Sequence, residues 1–285
     1  MRALQIIKRE IVIALSQLGL KKVRSNYMGM KLYSPTIYGM VNGGFIVPGE
    51  FGMSDCLAAF IATRPGAVLD VGANKGVYLV KLRVISPDVE YYGAEPNPSC
   101  TFYLKELIRL NRFGKAMILP FAFSDREEVR MIYAGGRGSK RASAYLDFPA
   151  GEVPAHSFAA YFAIGDDVVE ALDLDEVAVL KIDVEGGELE ALRGLMRTIE
   201  KHRPYIYCEI LRTGGDPDLI VRARETCELV HGFGYEILGV TRHERTLETV
   251  TEIEKVEQDH YLADYIFSPP ELVGKFREAL GTDRL

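Results

Sequence analysis

The sequence predicts a doubly wound α/β fold with a mostly parallel sheet. From Pro65 onward, short apolar runs alternate with longer segments of helical periodicity. Such alternation produces a parallel sheet that is covered by helices on both faces. A glycine-containing turn directly follows the first apolar run, and turns of this kind join a strand to a helix at the ligand sites of such sheets.

The length of 285 residues favours one large domain with insertions over two full domains. We predict an N-terminal helix and an irregular lid or cap over residues 1–53. The α/β domain is expected over residues 54–270, with an insertion over 134–160. A C-terminal helix or tail is expected over residues 271–285.

Periodicity and turn residues set the expected elements of the α/β domain. Strands are predicted at 67–71, 89–95, 116–122, 177–184, 204–211, 235–240 and 261–267. Helices are predicted at 75–85, 98–111, 188–200 and 218–231. The insertion and the charged segment 241–259 are expected to be irregular.

The N-terminal segment is basic and amphipathic. Apolar residues recur at helical spacing over 3–19, which predicts a helix. Residues 1–31 contain seven Lys or Arg against one Glu, so they carry +6 and the rest of the chain carries −12. The helix can pack on its own domain or on a partner subunit in a homodimer. It can also make peripheral contact with an anionic membrane surface.

Composition excludes several classes of function. A net charge of −6 argues against a general nucleic-acid-binding protein. The four cysteines form no CxxC or Cys/His cluster, so no metal site is predicted and reduced thiols in a cytoplasmic protein are expected. No apolar run approaches the ~20 residues of a membrane-spanning helix, and no signal peptide is predicted.

The first motif runs from Asp70 to Gly76, where the first strand turns into a helix. Gly72 allows a sharp turn and close approach to a ligand, and Gly76 is expected to let the helix pack against the strand. Asn74 stands where the dinucleotide motif G-x-G-x-x-G has glycine, which disfavours a pyrophosphate. The turn instead suits the amino-acid half of S-adenosylmethionine. An ordinary strand–turn–helix is the alternative.

The second motif is Glu95, which ends the second predicted strand. Its two carboxylate oxygens match the two hydroxyl donors of a ribose. Pro96 and Asn97 turn the chain into the next helix and are predicted to line the same cofactor site. Without the first motif, an acid at this position would be interpreted as a helix cap.

Two further motifs end later strands. Ser124 and Asp125 are predicted to contact the adenine edge, with a simple Ser-Asp turn as the alternative. Lys181 and Asp183 place charges on an otherwise apolar strand, and buried charges are costly unless they are paired. Lys181 is expected to pair with an acid inside the sheet layers, and Asp183 is expected near the cofactor.

Three glutamates complete an acidic mouth beside Asp183. Glu185 and Glu188 are expected to line its rim, and Glu209 ends the next strand and joins it. The alternative is a structural ion pair combined with a helix N-cap. A cluster of this kind would also suit Mg²⁺.

Together the motifs resemble the FkbM family of S-adenosylmethionine-dependent methyltransferases, on residues 70–76, 95–98, 122–125 and 181–186. This resemblance implies a Rossmann-like methyltransferase sheet of seven strands with an antiparallel last strand. It also implies S-adenosylmethionine as methyl donor. The acceptor it implies is a small molecule or glycan that carries a hydroxyl, on a sugar, glycolipid or natural product.

Methylation of a hydroxyl needs a group that removes its proton. Asp183 and Glu185 are the first candidates, and Glu209 and the loop residue His156 are the others. Two other classes remain open: a nucleotide- or NAD-binding Rossmann enzyme, and a non-catalytic module that keeps the fold. The spacing of Gly72 and Gly76 disfavours the first, and the intact set of charged motif residues disfavours the second.

Overall fold

The computed structural model describes residues 11–12, 14–37, 53–134, 142–143, 156–210, 217–241, 246–249 and 264–281. The strands are β1 Lys22–Tyr27, β2 Met30–Pro35, β3 Ala67–Val71, β4 Tyr91–Ala94, β5 Ala116–Leu119, β6 Ala122–Ser124, β7 Glu128–Ala134, β8 Ala142–Ser143, β9 His156–Ile164, β10 Val177–Ile182, β11 Tyr205–Glu209, β12 Glu236–Thr241, β13 Thr246–Thr249 and β14 Asp264–Ser268. The helices are α1 Met53–Thr63, α2 Val77–Ile85, α3 Pro98–Asn111, α4 Gly165–Ala171, α5 Glu188–Arg193, α6 Met196–His202, α7 Pro217–Gly232 and α8 Pro270–Ala279.

The main sheet has eight strands in the order β13-β12-β14-β11-β10-β3-β4-β5. Strands β3, β4, β5, β10 and β11 pair in parallel, whereas β14 is antiparallel to both of its neighbours. The predicted mostly parallel sheet with an antiparallel last strand is therefore confirmed, and β13 extends it at one edge. The strand order reverses between β3 and β10, and ligands bind at such switch points.

Both faces of this sheet are buried. Consecutive residues of β3 point to opposite sides, and each side packs in an apolar cluster. Leu69 packs in one apolar cluster with Leu192 of α5. Val68 packs in another with Phe60 of α1 and Phe276 of α8. Helices thus cover the two faces, which is the doubly wound arrangement that the alternating sequence predicted.

The helix predicted over 188–200 is interrupted. It consists of α5 and α6, which meet at Gly194 and Leu195. A Cβ on Gly194 would lie 1.9 Å from the carbonyl oxygen of Ser124. The chain therefore passes too close to another backbone segment for a side chain at this position, and the helical conformation is interrupted at the next residue, Leu195, with a φ of −116°.

The strand predicted over 116–122 was also too long. β5 ends at Leu119, and the residues after Pro120 form β6 in a separate sheet of order β6-β9-β7-β8. Pro120 has no N–H to donate to the ladder, so the strand stops before it.

The prediction that residues 134–160 are irregular is wrong in part. β9 begins at His156, and β7 pairs antiparallel with it over seven residue pairs. Strand β7 does not follow the usual hydrophobic pattern, because Val129, Met131 and Tyr133 lie on its exposed face. Segments 135–141 and 144–155 lie outside the described residues. Likewise β13 replaces part of the loop expected over 241–259.

The N-terminal segment forms a hairpin. Residues 11–12 and 14–17 are helical, which agrees with the predicted helix, and β1 and β2 follow. Tyr27 and Leu32 pack in one cluster with Tyr103 of α3. Of the N-terminal segment predicted to include a lid or cap, residues 38–52 lie outside the described residues. In the described part of the chain, no helix has the length and apolar character needed to cross a membrane.

Candidate functional site

The candidate site lies at the edge of the sheet where β3, β4, β10 and β11 end. Because these strands are parallel, their carboxyl ends share one edge. Gly72, Glu95 and Asp183 each come directly after a strand, and Glu209 is the last residue of β11. The topology thus gathers four of the sequence-predicted site positions.

The turn after β3 is pressed against β10. Gly72 has a φ of +86°, and a Cβ there would lie only 1.9 Å from the carbonyl oxygen of Asp183. The N–H groups of Gly72 and Ala73 both donate to the carbonyl of Ala94, at 3.0 Å each. Only glycine can hold this conformation at this distance from a neighbouring backbone.

Gly76 has a different neighbour from the expected one. It is the N-cap of α2 with a φ of +76°, and a Cβ there would lie 2.7 Å from Leu104 and 3.0 Å from Leu107. Both leucines belong to α3. The glycine therefore lets two helices pack together, rather than the helix and strand that we predicted.

Glu95 is bonded directly to the turn. Its Oε2 accepts the N–H of Asn74 at 2.7 Å, and its Oε1 accepts the N–H of Asn97 at 2.8 Å. The predicted proximity of the 70–76 turn to Glu95 is confirmed. The residue is 7% exposed. Burial raises the pKa of the Glu95 carboxyl to about 7, against the opposing effect of the two N–H donors.

Pro96 and Asn97, the two residues after Glu95, lead into α3. Pro98 occupies the first turn of the helix, and the Asn97 side chain accepts the N–H of Ser99 at 2.9 Å. Pro96 lies between Glu95 and this cap, and it lines a groove of about 260 Å³ with Phe102. The cap fixes the direction of the chain, and so it holds the Glu95 carboxylate beside the turn.

Ion pairs of Lys181 with Asp70 and Asp183 support the turn. Lys181 Nζ lies 2.9 Å from Asp70 Oδ1 and 3.5 Å from Asp183 Oδ2, and it donates to the carbonyl of Gly72 at 2.7 Å. The predicted pairing of Lys181 with an acid inside the sheet is confirmed. Tyr91 donates its hydroxyl to the other Asp70 oxygen at 2.6 Å. Asp70 is fully buried, so its described contacts hold the turn in place.

The charge of Lys181 is retained by this arrangement. Burial alone would lower the pKa of its ammonium group, but the carboxylates of Asp70 and Asp183 outweigh burial and raise it. The side chain of Asp183 is 34% exposed. Asp183 is therefore the end of the chain that faces solvent at this edge of the sheet.

Glu209 shares a hydrogen bond with Asp183. Burial and the negative charge of Asp183 raise the pKa of Glu209 to about 8. Asp264 stands opposite Glu209 in the β11–β14 register, and it and Glu185 add to the same upward shift. Because the two carboxyl groups share a hydrogen bond, they titrate as a pair, and the pair retains a proton near neutral pH.

The turn after β10 corrects one expectation. Glu188 does not line the rim, because it is 6% exposed and its Oε1 accepts the N–H of Gly186 at 2.9 Å. Arg222 donates to the carbonyl of Gly186 at 2.8 Å from the other side. Glu185 has a φ of 55° in the same turn and is partly exposed, so the clamped backbone fixes its position.

The predicted adenine residues lie at the end of β6, which finishes at Ser124. Ser124 is fully buried, and its hydroxyl donates to Asp125 Oδ1 at 3.4 Å. Burial would raise the pKa of Asp125, but the hydrogen bond and charge of Arg126, 3.0 Å away, lower it below its usual value. The carboxylate is therefore ionised and only partly buried.

His156 belongs to the second sheet. It is the first residue of β9 and stands opposite Ala134 in the register with β7. Its side chain lies outside the described part of the structure. Among the residues that are described, no group of three or more His, Cys, Asp or Glu side chains could hold a metal ion.

Comparison with known families settles the lineage of this site. The sequence profile of the methyltransferase FkbM domain matches residues 70–237, which is more than half of the chain. The chain belongs to the FkbM methyltransferase family. The match starts at the first motif and includes the end of every parallel strand that forms the site. No curated protein sequence matches the chain.

Solved structures with a similar fold include an FkbM methyltransferase from Methylobacillus flagellatus KT. It is 17% identical, with a TM-score of 0.44, and the match covers 71% of this chain and 43% of that one. The present chain thus spans less than half the length of that protein. M. jannaschii TYW2 in complex with AdoMet is 14% identical, with 87% of each chain covered and a TM-score of 0.40. A SAM-dependent methyltransferase from Aquifex aeolicus is 13% identical, covers 76% of this chain and 89% of that one, and has a TM-score of 0.39.

Three residues of this FkbM domain's site were missed by the sequence analysis. Tyr91 and Arg222 bond to the site from separate elements, and no local pattern announces such long-range contacts. Asp264 offered a signal, because it is an acid at the start of an otherwise apolar strand. The rule that a buried charge needs a partner would have placed it beside an acidic or basic neighbour.

Proposed function

We propose that this chain binds S-adenosylmethionine and transfers its methyl group to a hydroxyl of a sugar, glycolipid or natural product. The observation that carries the proposal is the 2.7 Å hydrogen bond between the Asn74 N–H and the Glu95 carboxylate. It joins the two motifs expected to hold the two halves of the cofactor. Membership of the FkbM family supports the same reaction.

The residues of the site fit this cofactor. A carboxylate has about four acceptor positions, and Glu95 uses one on each oxygen for a backbone N–H. One position on each oxygen is left for a ribose hydroxyl. The Gly72–Gly76 turn and the first N–H groups of α2 would hold the amino-acid half. Asp125 would contact the adenine edge, whereas Ser124, which is fully buried, would hold the Asp125 carboxylate through its hydroxyl.

When bound, the sulfonium supplies an electrophilic methyl group, and the protein must position the acceptor and take its proton. We assign the base role first to Asp183, because its carboxylate is partly exposed, is hydrogen-bonded to Glu209 and is held by Lys181. The proton would pass from the acceptor hydroxyl to an Asp183 oxygen. Glu209 would act as a positioning residue through its bond to Asp183. Glu185 and His156 are the remaining candidates.

The test compares cofactor binding with methyl transfer. Methyl-labelled S-adenosylmethionine is offered with a panel of sugars, glycolipids and polyketide alcohols, and the product is treated with alkali, which cleaves methyl esters and leaves ethers. We expect an alkali-stable label. Asp183→Asn should lower turnover by a factor of about 10² or more while calorimetry gives unchanged cofactor affinity. Unchanged turnover would remove Asp183 from the mechanism.

Matched variants separate the other candidates for the base. Glu185→Gln and His156→Gln should keep most of the wild-type turnover if Asp183 is the base. Glu209→Gln should shift the pH profile of turnover, because it removes one of the two carboxyl groups that titrate as a pair. A variant at Glu185 or His156 that loses turnover while Asp183→Asn keeps it would transfer the role.

An NAD-binding enzyme is the competing function. Equilibrium dialysis with labelled S-adenosylmethionine and labelled NAD distinguishes the two, because the Gly72-x-x-x-Gly76 spacing suits only the first. Retention of NAD without S-adenosylmethionine would reject the proposal. Methyl transfer that survives EDTA is expected, and its loss would show that the acidic mouth holds a metal ion.

A further inference from the structure

We propose that the N-terminal helix and hairpin together bind the surface of an anionic phospholipid bilayer. The inference rests on two adjoining features of this segment, one apolar and one basic. It does not depend on the proposed methyl transfer, and its test measures binding rather than activity.

The apolar feature is the helical segment that precedes β1. Ile11 and Leu15 are four residues apart and share one face of the helix, and Leu18 lies in the turn that follows it. Their exposed fractions are 53%, 43% and 84%. Leu20, just past the helix, is 36% exposed. A row of large apolar side chains open to water is the face with which an interfacial helix enters a bilayer.

The basic feature is the outer face of the hairpin. Between Glu10 and Glu50 the sequence contains no Asp or Glu, but it contains four cations: Lys21, Lys22, Arg24 and Lys31. In the β1–β2 register Arg24 stands opposite Tyr33. The Lys22 and Lys31 ammonium groups lie 5.0 Å and 5.3 Å from the centre of the Tyr33 ring. The cations therefore surround one aromatic side chain.

The hairpin is fixed to the domain. The side chain of Asn111, at the end of α3, accepts the N–H of Tyr33 and donates to its carbonyl, both at 2.7 Å. The N–H of Thr36, just past β2, donates to the carbonyl of Lys21 at 3.0 Å. These bonds hold the end of the apolar helix beside the start of the basic face, so the two features form one surface.

An anionic bilayer matches this surface better than other partners do. Its headgroups offer negative charge, and its acyl chains accept the leucines. A nucleic acid offers phosphates but no counterpart for exposed Leu15 and Leu18, and the chain as a whole carries −6. A second copy packed about a two-fold axis would place like charges against each other.

The experiment is flotation with phosphatidylcholine vesicles that contain or lack phosphatidylglycerol. The full chain should float only with the anionic vesicles. The triple variant Lys22→Gln, Arg24→Gln, Lys31→Gln should bind on the order of a hundredfold more weakly, at about fivefold for each cation. Its control is Lys115→Gln, Lys201→Gln, Lys275→Gln, which removes three exposed cations elsewhere and should float as the wild type does.

The apolar contribution is tested separately. Leu15→Ser with Leu18→Ser should weaken flotation, whereas Val129→Ser with Met131→Ser, which changes another exposed apolar surface, should not. Circular dichroism confirms that each variant is folded. Equal binding to both vesicle types, or equal losses in a variant and its control, would overturn the proposal. Tighter binding to duplex DNA than to the vesicles would also overturn it. So would a wild-type protein that does not float and forms a dimer, if Leu15→Ser with Leu18→Ser dissociates that dimer.

Discussion

Replacing Gly72 with alanine should destabilise the protein more than the same change at a glycine with free space around it. A Cβ at this position would lie 1.9 Å from the Asp183 carbonyl oxygen, and real Cβ atoms essentially never approach closer than 3.0 Å. The contact is with backbone, so no side chain can rotate away. The ends of β3 and β10 must separate by about 1 Å, in a core that tolerates such overpacking at a cost of about 1–3 kcal/mol or more.

The positive φ of Gly72 adds a second cost, which a matched variant isolates. Gly29 has a φ of +87°, against +86° for Gly72, but a Cβ there would meet nothing within 4 Å. Gly29→Ala should therefore cost only the left-handed conformation, about 1–2 kcal/mol. Gly72→Ala should cost about 3 kcal/mol or more in total.

Thermal and urea unfolding of the two variants beside the wild type measure this difference. The drop in Tm should be at least about twice as large for Gly72→Ala as for Gly29→Ala. Equal drops would show that β3 and β10 are not held in close backbone contact, and they would refute the geometry on which the site depends.

Three further predictions concern stability and pH. Burial raises the pKa of Glu188 to about 7, so its contribution to stability is present below the unfolded-state value and is lost as the pH rises through 7. Glu188→Gln should therefore gain up to about 3 kcal/mol relative to wild type between pH 5 and pH 8 in urea unfolding, and a constant difference would contradict the shift. Asp166 accepts the backbone N–H groups of Arg197 and Thr198 in the first turn of α6 and is 7% exposed. Asp166→Ala should thus cost about 2 kcal/mol, whereas the exposed neighbour Asp167→Ala should cost little, and similar losses in the two variants would reject this capping role. Finally, in the proposed complex the ribose hydroxyls would donate to the ionised form of Glu95, whose pKa is about 7. Affinity for S-adenosylmethionine should therefore rise about tenfold from pH 6 to pH 8 by calorimetry, and a flat profile would count against that contact.

The strands and the motif positions were predictable because they depend on local pattern. Strand β3 follows from its apolar run, and the turn after it follows from Gly72 and Gly76. The meeting of this turn with Glu95 was also predictable, because parallel strands bring their carboxyl ends to one edge. The buried pairing of Lys181 followed from the cost of an unpaired charge.

The remaining features depend on contacts that no local pattern encodes. Gly194 lies against the backbone of Ser124, and a contact between segments so far apart in the sequence leaves no local signal. The sequence predicted that Gly76 lets its helix pack against the preceding strand, but its neighbours are two leucines of α3. Tyr91 reaches Asp70 only because β4 pairs with β3. The β7–β9 pairing has no local signal, because a long segment of sequence separates the two strands.

We propose that the turn at residues 70–76 and the Glu95 carboxylate together bind S-adenosylmethionine. Titration calorimetry of S-adenosylmethionine binding to Glu95→Ala is the most direct test. Glu90→Ala serves as the control, because Glu90 is an exposed acid just before the same strand. Loss of two hydrogen bonds to a charged acceptor should weaken binding at least about a hundredfold in Glu95→Ala and leave Glu90→Ala at the wild-type affinity. A folded Glu95→Ala protein that binds the sulfonium donor as tightly as the wild type would contradict the account.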